Sequence, residues 1–391
     1  MNKALELHKK LKGKLTINSK IKIETTKELS LAYTPGVAEP CKEIAKNKNK
    51  VYDYTIKGNT IAVITDGTAV LGLGDIGAEA ALPVMEGKAI LFKELAGINA
   101  FPIALNTKNV DEIVSTIKNI APSFGGINLE DIASPRCFEI ESRLQDIGIP
   151  VMHDDQHGTA IVVYAALKNA LKVTNKKISE VKIVINGAGA AGMTIARLLT
   201  CIGYKSNACT PAKEIIMVDS QGIIHKERPE LSYYKQEIAQ RTNKENIKGT
   251  LKEAIKEADV FIGVSKPNAL TKEMIKTMKE KPIILALANP IPEIMPEEAI
   301  EAGAYIIGTG RSDYPNQINN VLAFPGVFKG ALEAKATKIT PNMKMAAAEA
   351  LANSINPTKD RILPSPLDKS VVKKIAEAVK KAAIEDKVIR E

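Results

Sequence analysis

The sequence predicts a two-domain α/β protein built on parallel sheets, and three observations lead there. Short apolar β-rich runs alternate with helical patterns along most of the 391 residues, which means parallel strands with both faces covered. The length itself, at about 150 residues per domain, suggests two domains or three. The composition, 45% hydrophobic and 25% charged, supplies sizeable cores and excludes wholesale disorder.

In the first half, 60–65 (TIAVIT), 100–105 (AFPIAL) and 150–153 read as strands, with helical spacing over 79–95, 110–120 and 135–147. The second half repeats the alternation. Strands are expected at 181–186, 214–219, 260–265, 283–289 and 304–309, with helices at 192–202, 251–258, 271–278 and 297–302. A long helix is expected over 158–173, and a basic amphipathic surface helix over 370–384. The domain boundary is placed near 153–159, giving an N-terminal α/β domain over 1–157 and a second domain over 158–391.

The net charge of +9 comes from lysines spread along the whole chain, and with seven Phe, nine Tyr and no Trp there is little to stack on bases. Nucleic acid is therefore not an expected partner. No apolar run reaches the 18 or more residues of a membrane span, and Met1–Lys20 has no apolar signal core, so the expected location is the cytoplasm. Cys41, Cys137, Cys201 and Cys209 form no C-x-x-C pair and are expected to be reduced, buried thiols.

Gly187-Ala188-Gly189-Ala190-Ala191-Gly192 fits G-x-G-x-x-G between an expected strand and an expected helix, the context of a Rossmann-type dinucleotide site. Gly187 permits the turn, Gly189 lets the backbone approach a pyrophosphate, and Gly192 lets helix and strand pack. Asp219 ends the next strand, where a carboxylate meets the adenosine ribose of NAD and repels the 2′-phosphate of NADP. The gap exceeds the usual ~20 residues, and an insertion at 203–212 accounts for the excess. The second match, 72–77 (GLGDIG), lacks that context and reads as a loop at the cleft rim.

Two acidic pairs, Glu130-Asp131 and Asp154-Asp155, stand beside apolar strand residues, where an unpaired charge is costly. Carboxylates converging on one point require a cation, and oxygen ligands select Mg²⁺ or Mn²⁺. His153 and His157 have zinc-site spacing, but the residues between them make a poor helix and no third soft ligand is near. Lys88, on a mostly apolar helix, either snorkels or, held dry, has a lowered pKa and serves as a base. Tyr33 sits in a Pro-Gly turn. Asn289 ends a strand and Asn320 precedes FPG; amides at carboxyl ends of parallel strands face a ligand crevice. Together these residues describe a metal-assisted dehydrogenase.

The blocks YTPGVAEP (33–40), TDGTAVLGLGDIG (65–77), GKAILFKELAGI (87–98), INLEDI (127–132), HDDQHGTA (153–160), NGAGAAG (186–192), ANPIPE (288–293) and GRSDYPNQINNVLAFPG (310–326) resemble, in order and through nearly the whole chain, the short bacterial form of malic enzyme. The resemblance implies oxidative decarboxylation of L-malate to pyruvate and CO2 with NAD, or NADP, and a divalent metal. It implies Tyr33 as general acid and Lys88 as general base. It also implies Glu130, Asp131 and Asp155 as metal ligands, Asp154 beside the lysine, and Asn289 and Asn320 as amides facing substrate and nicotinamide. A homodimer is implied as well. One departure is Ala69, where larger relatives carry a substrate-gripping arginine; Arg311 is the candidate replacement. Three alternatives are weighed: a malolactic-type enzyme that releases lactate, an amino-acid dehydrogenase, which would need no metal cluster, and a catalytically dead NAD-sensing scaffold.

Overall fold

The computed structural model describes residues 2–70, 72–204 and 209–390. Part of the expected insertion (205–208) and Leu71 of the TDGTAVLGLGDIG block lie outside the described residues.

Two parallel sheets form the frame. The first has order β2-β1-β3-β4, with β1 Thr60–Thr65, β2 Asn99–Ala104, β3 Gly126–Leu129 and β4 Val151–His153. The second has order β10-β9-β8-β5-β6-β7, with β5 Lys182–Asn186, β6 Glu214–Asp219, β7 Gly222–Ile223, β8 Val260–Gly263, β9 Ile283–Ala286 and β10 Ile306–Thr309. β7 alone in this sheet pairs antiparallel, as a short hairpin return on β6. The central strands are buried along their length, as the unbroken apolar runs require.

Most expected elements are present within a few residues. Helix Val110–Ile120 starts where Asn109 accepts hydrogen bonds from the amides of Asp111 and Glu112. Strand β3 was not expected. Gly125, Gly126 and Asn128 weaken its β signal, yet the glycines are needed: a Cβ on Gly126 would lie 3.2 Å from the Pro150 carbonyl oxygen and 3.3 Å from the Phe328 ring.

The helix expected from 158 begins at Asp154 and runs unbroken to Thr174, so the proposed boundary at 157 falls inside it. The acidic pair judged unfavourable for a helix in fact occupies its first turn, where the positive end of the helix dipole favours carboxylates.

A second correction concerns the cysteines. Cys201 and Cys209 are joined as a disulfide, their Cα atoms 5.7 Å apart. The chain turns after helix Ala190–Leu199 and brings residues eight apart in sequence together, which no C-x-x-C pattern signals. Cys137 is a buried thiol as expected, whereas Cys41 is exposed.

The C-terminal helices Phe324–Glu333, Pro341–Ala352 and Lys369–Glu385 pack on one another, and Pro341–Ala352 packs on helix 154–174. Phe324 and Phe328 also stack on Phe92 of the first domain, with ring centroids 4.7 and 5.5 Å away. One apolar core therefore continues from beneath the first sheet into the second. The first fifty residues differ: their helices Lys3–Leu11, Thr26–Ala32 and Ala38–Lys46 contain no buried residue. No helix among the described residues is long and apolar enough to cross a membrane.

Candidate active site

Register explains how distant acids meet. Ile64 pairs with Leu129, and Leu129 pairs with His153, so β1, β3 and β4 end at one level. The residues that follow, Asp66, Glu130-Asp131 and Asp154-Asp155, therefore emerge on the same carboxyl edge, where ligands bind in open α/β sheets. Glu130, Asp131 and Asp155 each place a carboxylate oxygen within 4.8 Å of the others. The Asp131 amide donates to Asp155 Oδ2 at 2.8 Å, and Asp131 holds a left-handed backbone with φ 54°.

Electrostatics show what this cluster lacks. Glu130 and Asp131 are each 3% exposed. Burial, opposed for Glu130 by Lys88, pushes Glu130 well above the carboxylate range. Burial and the Asp155 charge push Asp131 up to about 7. Asp131 Oδ2 is buried without a hydrogen-bond partner. A divalent cation would satisfy that oxygen and offset the mutual repulsion, and an all-oxygen set suits Mg²⁺ or Mn²⁺. The three residues present fit the ion that the sequence suggests.

His153 and His157 do not form a zinc pair. His153 Nε2 lies 3.2 Å from Asp155 Oδ2, while His157 turns to Glu141 at 2.9 Å. Burial works against the charge of Glu141, but His157 outweighs it and holds Glu141 down at about 2.

Lys88 is 8% exposed and bonds Asp154 Oδ2 at 2.7 Å and Glu130 Oε1 at 3.0 Å, with its ammonium 4.3 Å from the centre of the Phe324 ring. The expectation of a lowered lysine pKa is corrected here. Burial opposes the charge, but Asp154 and Glu130 outweigh it and hold Lys88 protonated, above an ordinary lysine. Asp154 is held in turn by local geometry: its Oδ1 would lie 1.8 Å from a Cβ on Gly158, so only glycine fits there.

The second sheet supplies the other wall. Gly187 has φ 124°, and a Cβ would meet the Val264 carbonyl oxygen at 2.5 Å. A Cβ on Gly192 would lie 1.8 Å from the Gly187 oxygen, so helix and turn touch there. Gly189 is open, with only Ser134 Oγ 3.9 Å from its Cβ position. No side chain caps helix Ala190–Leu199, so the amides of Ala190 and Ala191 are left for an anion. Ala188 and Ala191 pack on the main core, while Ala190 reaches the core of the first domain. Asn289 approaches the GLGDIG loop through its backbone, its carbonyl oxygen 2.9 Å from a Cβ on Gly72, while its side-chain amide donates to the Leu287 carbonyl at 3.4 Å. Asn320 lies beside Gly158, its Cβ 3.3 Å from the Cβ position there.

Three placements differ from the sequence reading. Asp219 does not stand free for a ribose: its Oδ2 accepts from Arg228 at 2.8 Å and Lys235 at 2.6 Å, and its Oδ1 from the Gln221 amide at 2.9 Å. Burial opposes its charge, but these donors hold it at about 2. The local charge is thus one acid against two cations, and simple repulsion of a 2′-phosphate no longer follows. Arg228 and Lys235 were missed because β7 and its turn separate them from Asp219. Arg311 is not a free cation either, since its Nε and Nη2 donate to Asp313 at 2.9 and 2.6 Å and its Nη1 to the Pro290 carbonyl at 3.4 Å. Tyr33 stands on the N-terminal arm, 66% exposed, and no hydrogen bond joins it to Lys88 or the carboxylates.

Arg136 was also overlooked. Its Nη2 bonds Asp66 Oδ2 and Thr68 Oγ1, both at 2.8 Å, and Thr68 Oγ1 accepts the Ala133 amide at 3.0 Å. The only signal was an arginine five positions after Asp131.

Known proteins resemble this chain along nearly its whole length. Residues 12–145 match the family model of the malic enzyme N-terminal domain, and 156–384 that of the malic enzyme NAD-binding domain. The chain is 58% identical over 392 residues to a bifunctional malic/malolactic enzyme of Bacillus subtilis, covering 99% of this chain and 94% of that one. It is 44% identical over 407 residues to an NADP-dependent malic enzyme of Halomonas elongata, covering 99% and 94%. The crystal structure of an NAD-dependent malic enzyme from Thermotoga maritima superposes with a TM-score of 0.92 at 52% identity, covering 96% of this chain and 98% of that one. With both domain models matched in order along nearly the whole sequence, the chain belongs to the malic enzyme family.

Proposed function

We propose that this protein oxidises L-malate with a nicotinamide dinucleotide and decarboxylates the product to pyruvate. The observation that carries the reading is the buried Lys88–Asp154 pair beside the convergent Glu130, Asp131 and Asp155. Lys88, protonated at rest, passes its proton to Asp154 at 2.7 Å and then, neutral, takes the proton of the C2 hydroxyl. Glu130, Asp131 and Asp155 would hold Mg²⁺ or Mn²⁺, which would supply Lewis-acid stabilisation to the substrate, and residues 187–192 would hold the dinucleotide, which would supply the hydride acceptor. Asn289 and Asn320, on the opposite wall, orient substrate and nicotinamide. The Asp219–Arg228–Lys235 group supports use of NADP as well as NAD. The test is malate with Mn²⁺ and either cofactor, following reduced nicotinamide and then pyruvate against lactate. Lactate release without free reduced cofactor would favour the malolactic alternative.

We further propose a homodimer in which Tyr33 serves the cleft of the second copy. Leu5, Leu7, Leu11, Ile17, Ile21, Ile23, Leu29 and Leu31 are exposed on the arm that carries it, an apolar surface that calls for a cover. The arm is tethered near the cleft, with the Lys14 amide donating to Glu86 at 2.9 Å and Lys14 Nζ to the Pro83 carbonyl at 2.6 Å. Tyr33 there would protonate C3 of the enol. Mixing inactive Tyr33→Phe and Lys88→Ala proteins should restore activity, because one cleft of the mixed dimer is intact. A mixture that stays inactive after subunit exchange would refute the arrangement.

A further inference from the structure

Buried polar groups are nearly always paired, so a buried donor without an acceptor at a cleft requires a reason. Arg136 carries one. Its Nη2 is committed to Asp66 and Thr68, but its Nε is buried with no partner, and its Nη1 forms no hydrogen bond with a described residue. Asp66 is buried, so the pairing fixes the plane of the guanidinium while leaving those two donors unspent.

The location gives the vacancy a meaning. Thr68 precedes Ala69, whose amide is held by the Asp131 carbonyl at 2.9 Å, so Arg136 is anchored to the segment that touches the metal-ligating strand end. Ser134, two residues before Arg136, is the side chain nearest the open position at Gly189. Arg136 thus stands between the carboxylate cluster and the phosphate-binding turn. Lys88 is taken by Asp154 and Glu130, and Arg311 by Asp313, which leaves Arg136 with spare donors.

We propose that Arg136 binds an anionic group of the reacting complex through Nε and Nη1. The shared chemistry is a pair of anionic oxygens, from the malate carboxylate that the metal does not hold or from the pyrophosphate of the dinucleotide. The inference rests on the malate-oxidising reading above.

Arg136→Lys is the first variant, because it keeps a cation against Asp66 and removes the planar fork; Arg136→Gln is the second. Three quantities are read: KM for malate at saturating cofactor and Mn²⁺, Kd for NADH and NADPH from nicotinamide fluorescence without malate or metal, and Tm. A rise of tenfold or more in malate KM, with dinucleotide Kd unchanged, assigns the carboxylate. A rise of that size in dinucleotide Kd assigns the pyrophosphate. If both constants stay within twofold in folded Arg136→Lys protein, Arg136 only clamps two loops and the proposal is overturned. A fall in kcat that tracks a fall in Tm, with unchanged KM and Kd, overturns it equally. Wild-type protein inert toward malate would sink the reaction assignment instead, while the fluorescence arm could still be read.

Discussion

The carboxylate cluster makes a thermodynamic prediction independent of turnover. Asp131 titrates at about 7 in the folded protein against about 3.9 in an unfolded chain. Between pH 4.5 and 6.5 the folded state therefore keeps a proton that the unfolded state has released, and stability falls as pH rises. Two pH units at about 1.4 kcal/mol each give roughly 2.7 kcal/mol as an upper bound. With an unfolding entropy of about 0.8 kcal/mol/K for a chain of 391 residues, that is a Tm loss of about 3 °C. Glu130 is displaced in the same direction and steepens the trend. His153, raised well above its ordinary value, loses its stabilising charge only above pH 6.5, and Glu141 at about 2 stays ionised throughout, so neither distorts this window. The assay is thermal unfolding by circular dichroism in EDTA, comparing wild type with Asp131→Asn, and then wild type with Mn²⁺. Wild type should lose about 3 °C more than the variant from pH 4.5 to 6.5. Added Mn²⁺ should remove most of that loss, since a bound ion stabilises only the folded state. Parallel curves for the two proteins, or indifference to Mn²⁺, would refute the argument.

Other outcomes follow from the same geometry. Lys88→Ala should lower malate oxidation by roughly 10²–10⁴, whereas Tyr33→Phe should retain reduction of oxaloacetate to malate, which needs no carbon protonation; equal failure of both folded variants in that half-reaction would contradict the division of labour. Arg228→Ala or Lys235→Ala should reduce kcat/KM for NADP about tenfold more than for NAD, as expected for loss of a charge-assisted hydrogen bond, and Asp219→Ser should move the ratio toward NADP; unchanged ratios would put selectivity elsewhere. Gly192→Ala, which helix propensity alone would make favourable by about 1 kcal/mol, should instead cost about 1–3 kcal/mol and weaken dinucleotide binding, because its methyl group meets the Gly187 oxygen. Chemical denaturation and nicotinamide fluorescence measure the two effects.

Legibility from sequence followed the physics of each part. Strands β1 and β6 end where apolar periodicity stops, and the convergent carboxylates could be picked out because acids beside buried strands are improbable without a function. Strand β3 was hidden because its glycines exist for close packing by Phe328, a residue far along the chain. The state of Lys88 was misjudged because burial is visible in an apolar helix, whereas the two carboxylates that outweigh it arrive from other strands. Asp219 was misread for the same reason, since Arg228 and Lys235 return to it only through a hairpin. Arg136 offered no periodicity or spacing at all. Its significance lies in an unfilled hydrogen bond, which exists only in three dimensions.

The stacking of Phe324 and Phe328 on Phe92 has a temporal consequence. During synthesis Lys88 emerges early with the first sheet, yet the ring that faces its ammonium is translated more than two hundred positions after it. Helix Phe324–Glu333 is itself held by Lys369–Glu385, close to the last residue. The aromatic cover of Lys88 therefore forms only after helix Phe324–Glu333 has been made and packed.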